Sequence, residues 1–224
     1  MAREYEVRRI FPPPILKAPA HIACETFEYL TEFPAAGTGS DWEVARTCMY
    51  GGAGNFALRI ATKKSNPTAG DWAHISLKFS LLAMNIVDIG LVFLPPTTLE
   101  DGYFKVWYGT CYTSKEYNWR PGVRLKFSTG EVAVYDENGN WQVLDTLGDV
   151  RGIRENYLEF TVDLKNKKYK QIIVGNYLLD ASNYGFKRYS GFYAHSWVNC
   201  VAEAVSSAKT RLWVDSIIIK GHWA

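Results

Sequence analysis

Apolar and polar residues alternate with a period of two along most of this chain, the pattern of strands with one buried face. The clearest case is residues 157–180, where Leu158, Phe160, Val162 and Leu164 alternate with Glu159, Thr161 and Asp163. A lysine-rich turn at 165–168 reverses the chain into 169–174, and Gly175 and Asn176 turn it again before 177–179. Ile75, Leu77, Phe79 and Leu81 oppose Ser76, Lys78 and Ser80, and Val87, Ile89, Leu91 and Phe93 leave Asp88 and Gly90 on the other face. Phe104, Val106 and Tyr108 likewise oppose Lys105 and Trp107, and Val123, Leu125 and Phe127 oppose Arg124 and Lys126. Asn138 and Gly139 give a hairpin signal between 131–135 and 141–144. Residues 190–197 read as a strand with Phe192 and Ala194 inward and Tyr193, His195 and Trp197 outward. An Ala-rich stretch at 201–208 reads as one or two helical turns, and 211–220 as a final strand.

Strands at short, regular intervals, joined by Gly, Pro and Asn turns and without a long amphipathic helix, predict an all-β protein. The expected architecture is a two-sheet antiparallel β-sandwich. Residues 1–20 read as an N-terminal arm or edge strand, held extended by Pro12, Pro13 and Pro14, and 21–224 as a single sandwich domain.

Composition narrows the function. A formal net charge of +2 over 224 residues gives no reason to expect nucleic acid or an anionic membrane as partner. The charged N-terminus runs into prolines instead of an apolar h-region, so a cytoplasmic protein is expected, with an extracellular one as the alternative if a leader was removed. Cys24, Cys48, Cys111 and Cys200 lie far apart, without C-x-x-C pairing, and read as reduced and mostly buried, with one or two disulfides as the alternative if a leader was removed. Gly51, Gly52 and Gly54 lack the helix and the Lys-Ser/Thr of a phosphate loop. The four histidines show no metal spacing, and no G-x-S-x-G elbow nominates a serine nucleophile.

Eight Trp and fourteen Tyr are the informative excess. The alternation turns Asp88, Lys105, Trp107, Arg124, His195 and Trp197 outward, and if their strands share a sheet these residues line one surface. Acid, guanidinium and indole planes together suit sugars, through bidentate hydrogen bonds to vicinal hydroxyls and stacking on CH faces. Tyr117, Trp119 and Arg120 form a second patch, on a loop placed to close over that face.

Several features in order carry a resemblance. They are Phe27 and Glu28, the G-x-x-A-L segment from Gly54 to Leu58, the turn of Gly70, Asp71 and Trp72, and the hairpin pair Tyr135 and Trp141. Leu158 to Asp163 with Tyr169, and Val214, Asp215, Ser216 and Ile217, complete it. Over roughly residues 22–222 the chain resembles the concanavalin A-like jelly roll, the superfamily of laminin-G-like domains, legume-type lectins and several glycan hydrolases. The resemblance implies a concave face and rim loops that bind carbohydrate. Retaining hydrolases of the superfamily carry E-x-D-x-E on one strand. Glu159, Thr161 and Asp163 share that spacing but lack the middle Asp and the final Glu. Related sandwiches often hold one structural calcium, for which Glu28 and Asp215 are the candidate pair; otherwise no cofactor is expected. The expectation is a non-catalytic, lectin-like protein whose partner is an oligosaccharide. The alternatives are a glycoside hydrolase or lyase of the same fold, and an assembly protein that buries its aromatic face in a homo-oligomer.

Overall fold

The computed structural model describes residues 21–25, 34–39, 41–47, 57–62, 66–79, 84–110, 117–151, 156–191 and 195–222. The arm at 1–20, Glu28, the glycine turn at 51–54 and residues 192–194 lie outside them. In chain order the strands are β1 (His21–Glu25), β2 (Ala35–Gly37), β3 (Glu43–Thr47), β4 (Ala57–Ala61), β5 (Trp72–Phe79) and β6 (Ile86–Leu94). There follow β7 (Gly102–Gly109), β8 (Tyr117–Trp119), β9 (Gly122–Lys126), β10 (Glu131–Tyr135), β11 (Trp141–Thr146) and β12 (Asn156–Asp163). The chain closes with β13 (Lys168–Val174), β14 (Tyr177–Asp180), β15 (Arg188–Ser190), β16 (Ser196–Ala204) and β17 (Arg211–His222).

Two antiparallel sheets result. The back sheet has the order β14-β13-β12-β6-β17-β4-β3, with β1 also paired to β17, and the front sheet β11-β10-β9-β7-β16-β5-β2. β8 and β15 form a separate two-stranded ribbon. The all-β sandwich read from the alternation is therefore the observed architecture. Its core is built from the apolar members of the alternating pairs: Val87, Ile89, Leu91, Phe93, Leu158, Phe160 and Val162 from the back sheet meet Phe104, Val106, Tyr108, Val123, Leu125 and Phe127. The Ala-rich stretch is not helical. Through Ala204 it continues β16, with Val198, Cys200, Ala202 and Ala204 inward, small residues that suit a crowded sheet-to-sheet contact. Cys200 is a free, buried thiol whose burial raises its pKa, so it behaves as a small apolar residue.

The back sheet takes hold of the front sheet at Tyr169. This side chain is buried in the core, and its hydroxyl accepts from the Gly122 amide at 2.7 Å. The same hydroxyl has the carbonyls of Tyr135 at 2.9 Å and Gly122 at 3.0 Å as partners for its own proton. One phenol thus satisfies backbone groups at the start of β9 and the end of β10, where the front sheet begins to turn.

Two residues nominated from sequence sit apart from the rest. Asp88 lies on β6, in the back sheet, where it accepts from the Thr161 hydroxyl at 2.7 Å and pairs in register with Lys220. Alternation assigned it the correct side of its own strand, but not the sheet. Glu159 neighbours it on the same outer face of the back sheet and accepts a short hydrogen bond from the Tyr157 hydroxyl. Burial pushes the Glu159 carboxyl up, and the charge of Asp88 adds to this, against the Tyr157 hydrogen bond and Lys220. Asp163 caps the following turn, accepting from the Asn166 amide at 2.9 Å and its side chain at 2.8 Å. Asp215 is fully buried at the bulge between Val214 and Ser216. Among the described residues no group of three His, Cys, Asp or Glu is arranged to hold a metal ion.

Two measurements check these placements. Tyr169→Phe orphans the Gly122 amide and the Tyr135 carbonyl, and is expected to cost about 1–3 kcal/mol in chemical denaturation; an unchanged midpoint would contradict the link. Glu159, with its pKa raised, contributes full stability below its unfolded value and loses it as pH rises through the folded one. Glu159→Gln should therefore melt higher than wild type at pH 7, with the gap closing toward pH 4.5; a lower melting temperature at pH 7 would refute that ionisation cost.

Candidate functional site

The outer face of the front sheet inherits the other half of the alternation. Trp72 and His74 on β5, Trp197, Asn199 and Val201 on β16, and Trp107 on β7 all point away from the core. These strands are neighbours, and the register sets their rows: Val201 opposite His74, Asn199 opposite Trp107, and Trp197 opposite Gly109. Arg120, just after β8, and Tyr189 on β15 raise a wall beside this floor. The eight side chains together line a cleft of about 260 Å³.

Two cross-strand glycines shape the floor. A Cβ at Gly109 would collide with the Trp197 indole, and one at Gly122 with the Trp107 indole. The missing side chains let both rings lie down over the neighbouring strand. Trp107 is braced edge-on by Tyr135, centroids 4.9 Å apart, and by Trp141 at 5.2 Å. His74 stacks on Trp72 at 5.1 Å, and burial lowers its pKa, so a neutral ring faces the cleft at pH 7.

The wall is locked from behind. Arg120 donates Nε–H to Asn118 Oδ1 at 2.7 Å, and its guanidinium lies 4.3 Å from the Tyr189 ring centroid and 5.6 Å from that of Trp197. Asn118, fully buried, donates in turn to the carbonyls of Gly191 at 3.1 Å and Ser190 at 3.3 Å. The ribbon thus carries Arg120 as a positioned group. At the centre of the floor, Asn199 Oδ1 is buried and has no hydrogen-bond partner within the protein. A buried acceptor left this way costs free energy until a donor reaches it.

Of the residues nominated from sequence, the structure brings Trp107, Arg120 and Trp197 into this cleft. Lys105 and Arg124 share the sheet face but are ion-paired, Lys105 with Glu203 and Arg124 with Glu131 at 2.6 Å. Arg124 also covers the rings of Tyr103 at 4.5 Å and Trp141 at 5.0 Å. Trp119 turns toward the core and meets Phe186 edge-on at 6.1 Å. His195 precedes β16 and does not line the cleft, and Asp88 is on the other sheet. Trp72, His74, Tyr189, Asn199 and Val201 were not foreseen. For β5 and β16 the signal was present, because the same alternation extends two steps before Ser76 and two steps past Trp197.

No protein-family model matches the chain, and no curated protein matches it in sequence. Solved structures match its fold. A cellulose-induced protein, Cip1, superposes with a TM-score of 0.57 at 12% identity, over 90% of this chain and 98% of that one. The lectin UEA-II, complexed with galactose, gives 0.54 at 9% identity, over 92% of this chain and 100% of that one. A GH16 protein of a Bacteroides ovatus mixed-linkage glucan PUL, in complex with G4G4G3G product, gives 0.52 at 8% identity, over 88% and 99%. Identities this low speak to architecture alone. With its paired seven-strand paths and these lectin and GH16 neighbours, the chain has the fold of the concanavalin A-like jelly-roll superfamily.

Proposed function

We propose that this chain is a non-catalytic carbohydrate-binding protein, and that a sugar ring occupies the cleft over Trp107 and Trp197. The observation that carries this reading is Asn199 Oδ1, a buried acceptor without a partner, on the floor between two indoles laid flat on glycines. A sugar supplies both complements at once, a hydroxyl donor for the amide oxygen and apolar CH faces for the indoles. The volume lies below the ~300–1,000 Å³ of drug-sized sites, which suits one ring seated in the cleft with its neighbours along the open face. Two of the similar folds are described by their names as a lectin with galactose and a GH16 protein with a glucan product, which agrees with a saccharide ligand.

Glycoside hydrolysis by the usual mechanism needs two carboxyl groups about 5–5.5 Å apart for retention or about 6.5–9.5 Å for inversion. None of the eight cleft-lining residues is an Asp or Glu. The outward acids of the same sheet, Glu203 and Glu131, stand on β16 and β10, three strand spacings or roughly 14 Å apart. Each is tied to its own cation, Lys105 or Arg124. Glu159 belongs to the opposite sheet. This arrangement favours binding over hydrolysis.

A glycan array on wild type, Trp197→Ala and Asn199→Ala tests the reading. At least one class of glycan should bind, with a loss of about 10- to 100-fold on truncating Trp197, as for a central aromatic anchor. Binding that survives both substitutions, or turnover of the bound glycan, would sink the proposal. Gly109→Ala is expected to lift the Trp197 ring off the sheet and weaken the same glycans while leaving the far-ultraviolet circular dichroism unchanged. Undiminished affinity in that variant would show that the flat indole is not the platform.

A further inference from the structure

Resting on the carbohydrate reading of this cleft, we propose that His74 and Asn199 are its specificity-determining pair. They are two acceptors on the floor that read two hydroxyl donors of one sugar ring, so the ligand is a glycan whose seated ring carries both hydroxyls unsubstituted. The indoles of Trp72, Trp107 and Trp197 line the same cleft and offer apolar surface, which stacks on any pyranose and discriminates little between epimers. Polar groups of fixed position make that distinction, because a site built to hydrogen-bond a hydroxyl leaves its own buried group unpaired when the hydroxyl is missing.

Strand register sets the pair on a diagonal. His74 on β5 stands opposite Val201 on β16, and Asn199, two residues earlier on β16, stands opposite Ser76. Diagonal neighbours on one sheet face are about 7–8 Å apart, a span that one sugar ring bridges with a hydrogen bond at either end. Both side chains are held in place. The His74 ring stacks on Trp72 with 12° between the planes, and the Trp72 backbone N–H donates to Thr38 Oγ1 at 3.1 Å. Asn199 is flanked along its strand by Trp197 and Val201 and faces Trp107 on β7.

Neither side chain is spent on the protein. Among the described residues His74 stacks but makes no side-chain hydrogen bond, and Asn199 Oδ1 is buried without a partner. The cross-strand neighbours offer no substitute: Val201 is apolar, and neither Ser76 nor the Trp107 indole donates to the Asn199 amide oxygen. An apolar side chain at 199 would fill the same place without the cost of an unpaired acceptor, so a purely structural role does not account for the amide. Burial lowers the His74 pKa, so one ring nitrogen is unprotonated and accepts at pH 7. With no protein hydrogen bond among the described residues to fix the tautomer, the ligand selects which nitrogen that is.

The test is a nuclear magnetic resonance titration of the full chain with methyl pyranosides of gluco, galacto, manno and xylo configuration. Each is run beside its monodeoxy and monodeoxyfluoro analogues at every hydroxyl position. For a parent sugar that binds wild type, at least two ring positions should be sensitive, each deoxy analogue losing about 10-fold or more in affinity. The deoxyfluoro analogues, which accept but cannot donate, should lose as much. His74→Phe, which keeps a ring to stack on Trp72, should erase the sensitivity at one of these positions, and Asn199→Leu should erase it at another. Fewer than two sensitive positions in wild type would overturn the pair, a result that needs no variant to fold. Affinity restored by fluorine would overturn the acceptor role, and sensitivity that persists in full in either variant would overturn that residue's part. Failure of all four parents, with glycans still bound on the array, would overturn recognition of a single ring and leave the carbohydrate reading standing. Failure of the parents and of the array together would overturn both readings.

Discussion

The hydroxyl of Tyr169 is where the two sheets are pinned together, and the cleft depends on what it holds. From the back sheet it reaches the backbone of Gly122 and Tyr135. Gly122 is the residue over which the Trp107 indole lies, and Tyr135 is the ring that braces that indole. A core hydrogen-bond centre thereby sets the height and tilt of a surface aromatic. The absent side chain of Gly122 makes room for the flat indole.

Charge on the front face is divided by the same geometry. Lys105 and Arg124 meet acids one strand away and lie over Trp141, so they stiffen the aromatic box beside the cleft. Partly buried pairs of this kind hold orientation more than they add stability. Arg120 is held in place by the Asn118 amide oxygen and the plane of the Tyr189 ring.

Much of this was legible in the residues. Strict alternation at 104–108 and 123–127 identified core and surface correctly, and Trp107 and Trp197 fell outward as the pattern required. Alternation reports the side of a strand, however, and not the sheet to which the strand belongs. Asp88 and Trp107 look equivalent by period, yet β6 pairs with β12 and β17 while β7 pairs with β9 and β16. β12, β16 and β17 lie far away in sequence from the strands they pair with here, and local pattern is silent about them. Asn199 and Val201 were obscured by a different effect. Ala202 and Ala204 gave the segment a helical composition, although the tight core made small inward residues the natural choice for a strand. Arg120 was found as a loop residue, but its partner Tyr189 was not, because the β8–β15 ribbon joins segments about seventy residues apart.

The most direct test is a titration of the indole N–H resonances by nuclear magnetic resonance, using a glycan retained by wild type. Three of the eight tryptophans, Trp72, Trp107 and Trp197, line the cleft, while Trp213 lies on the back sheet and serves as an internal reference. Saccharide bound in the cleft should shift the first three resonances together, with one dissociation constant, and leave Trp213 unmoved. Shifts confined to Trp213, or binding that leaves Trp107 and Trp197 in place, would contradict it.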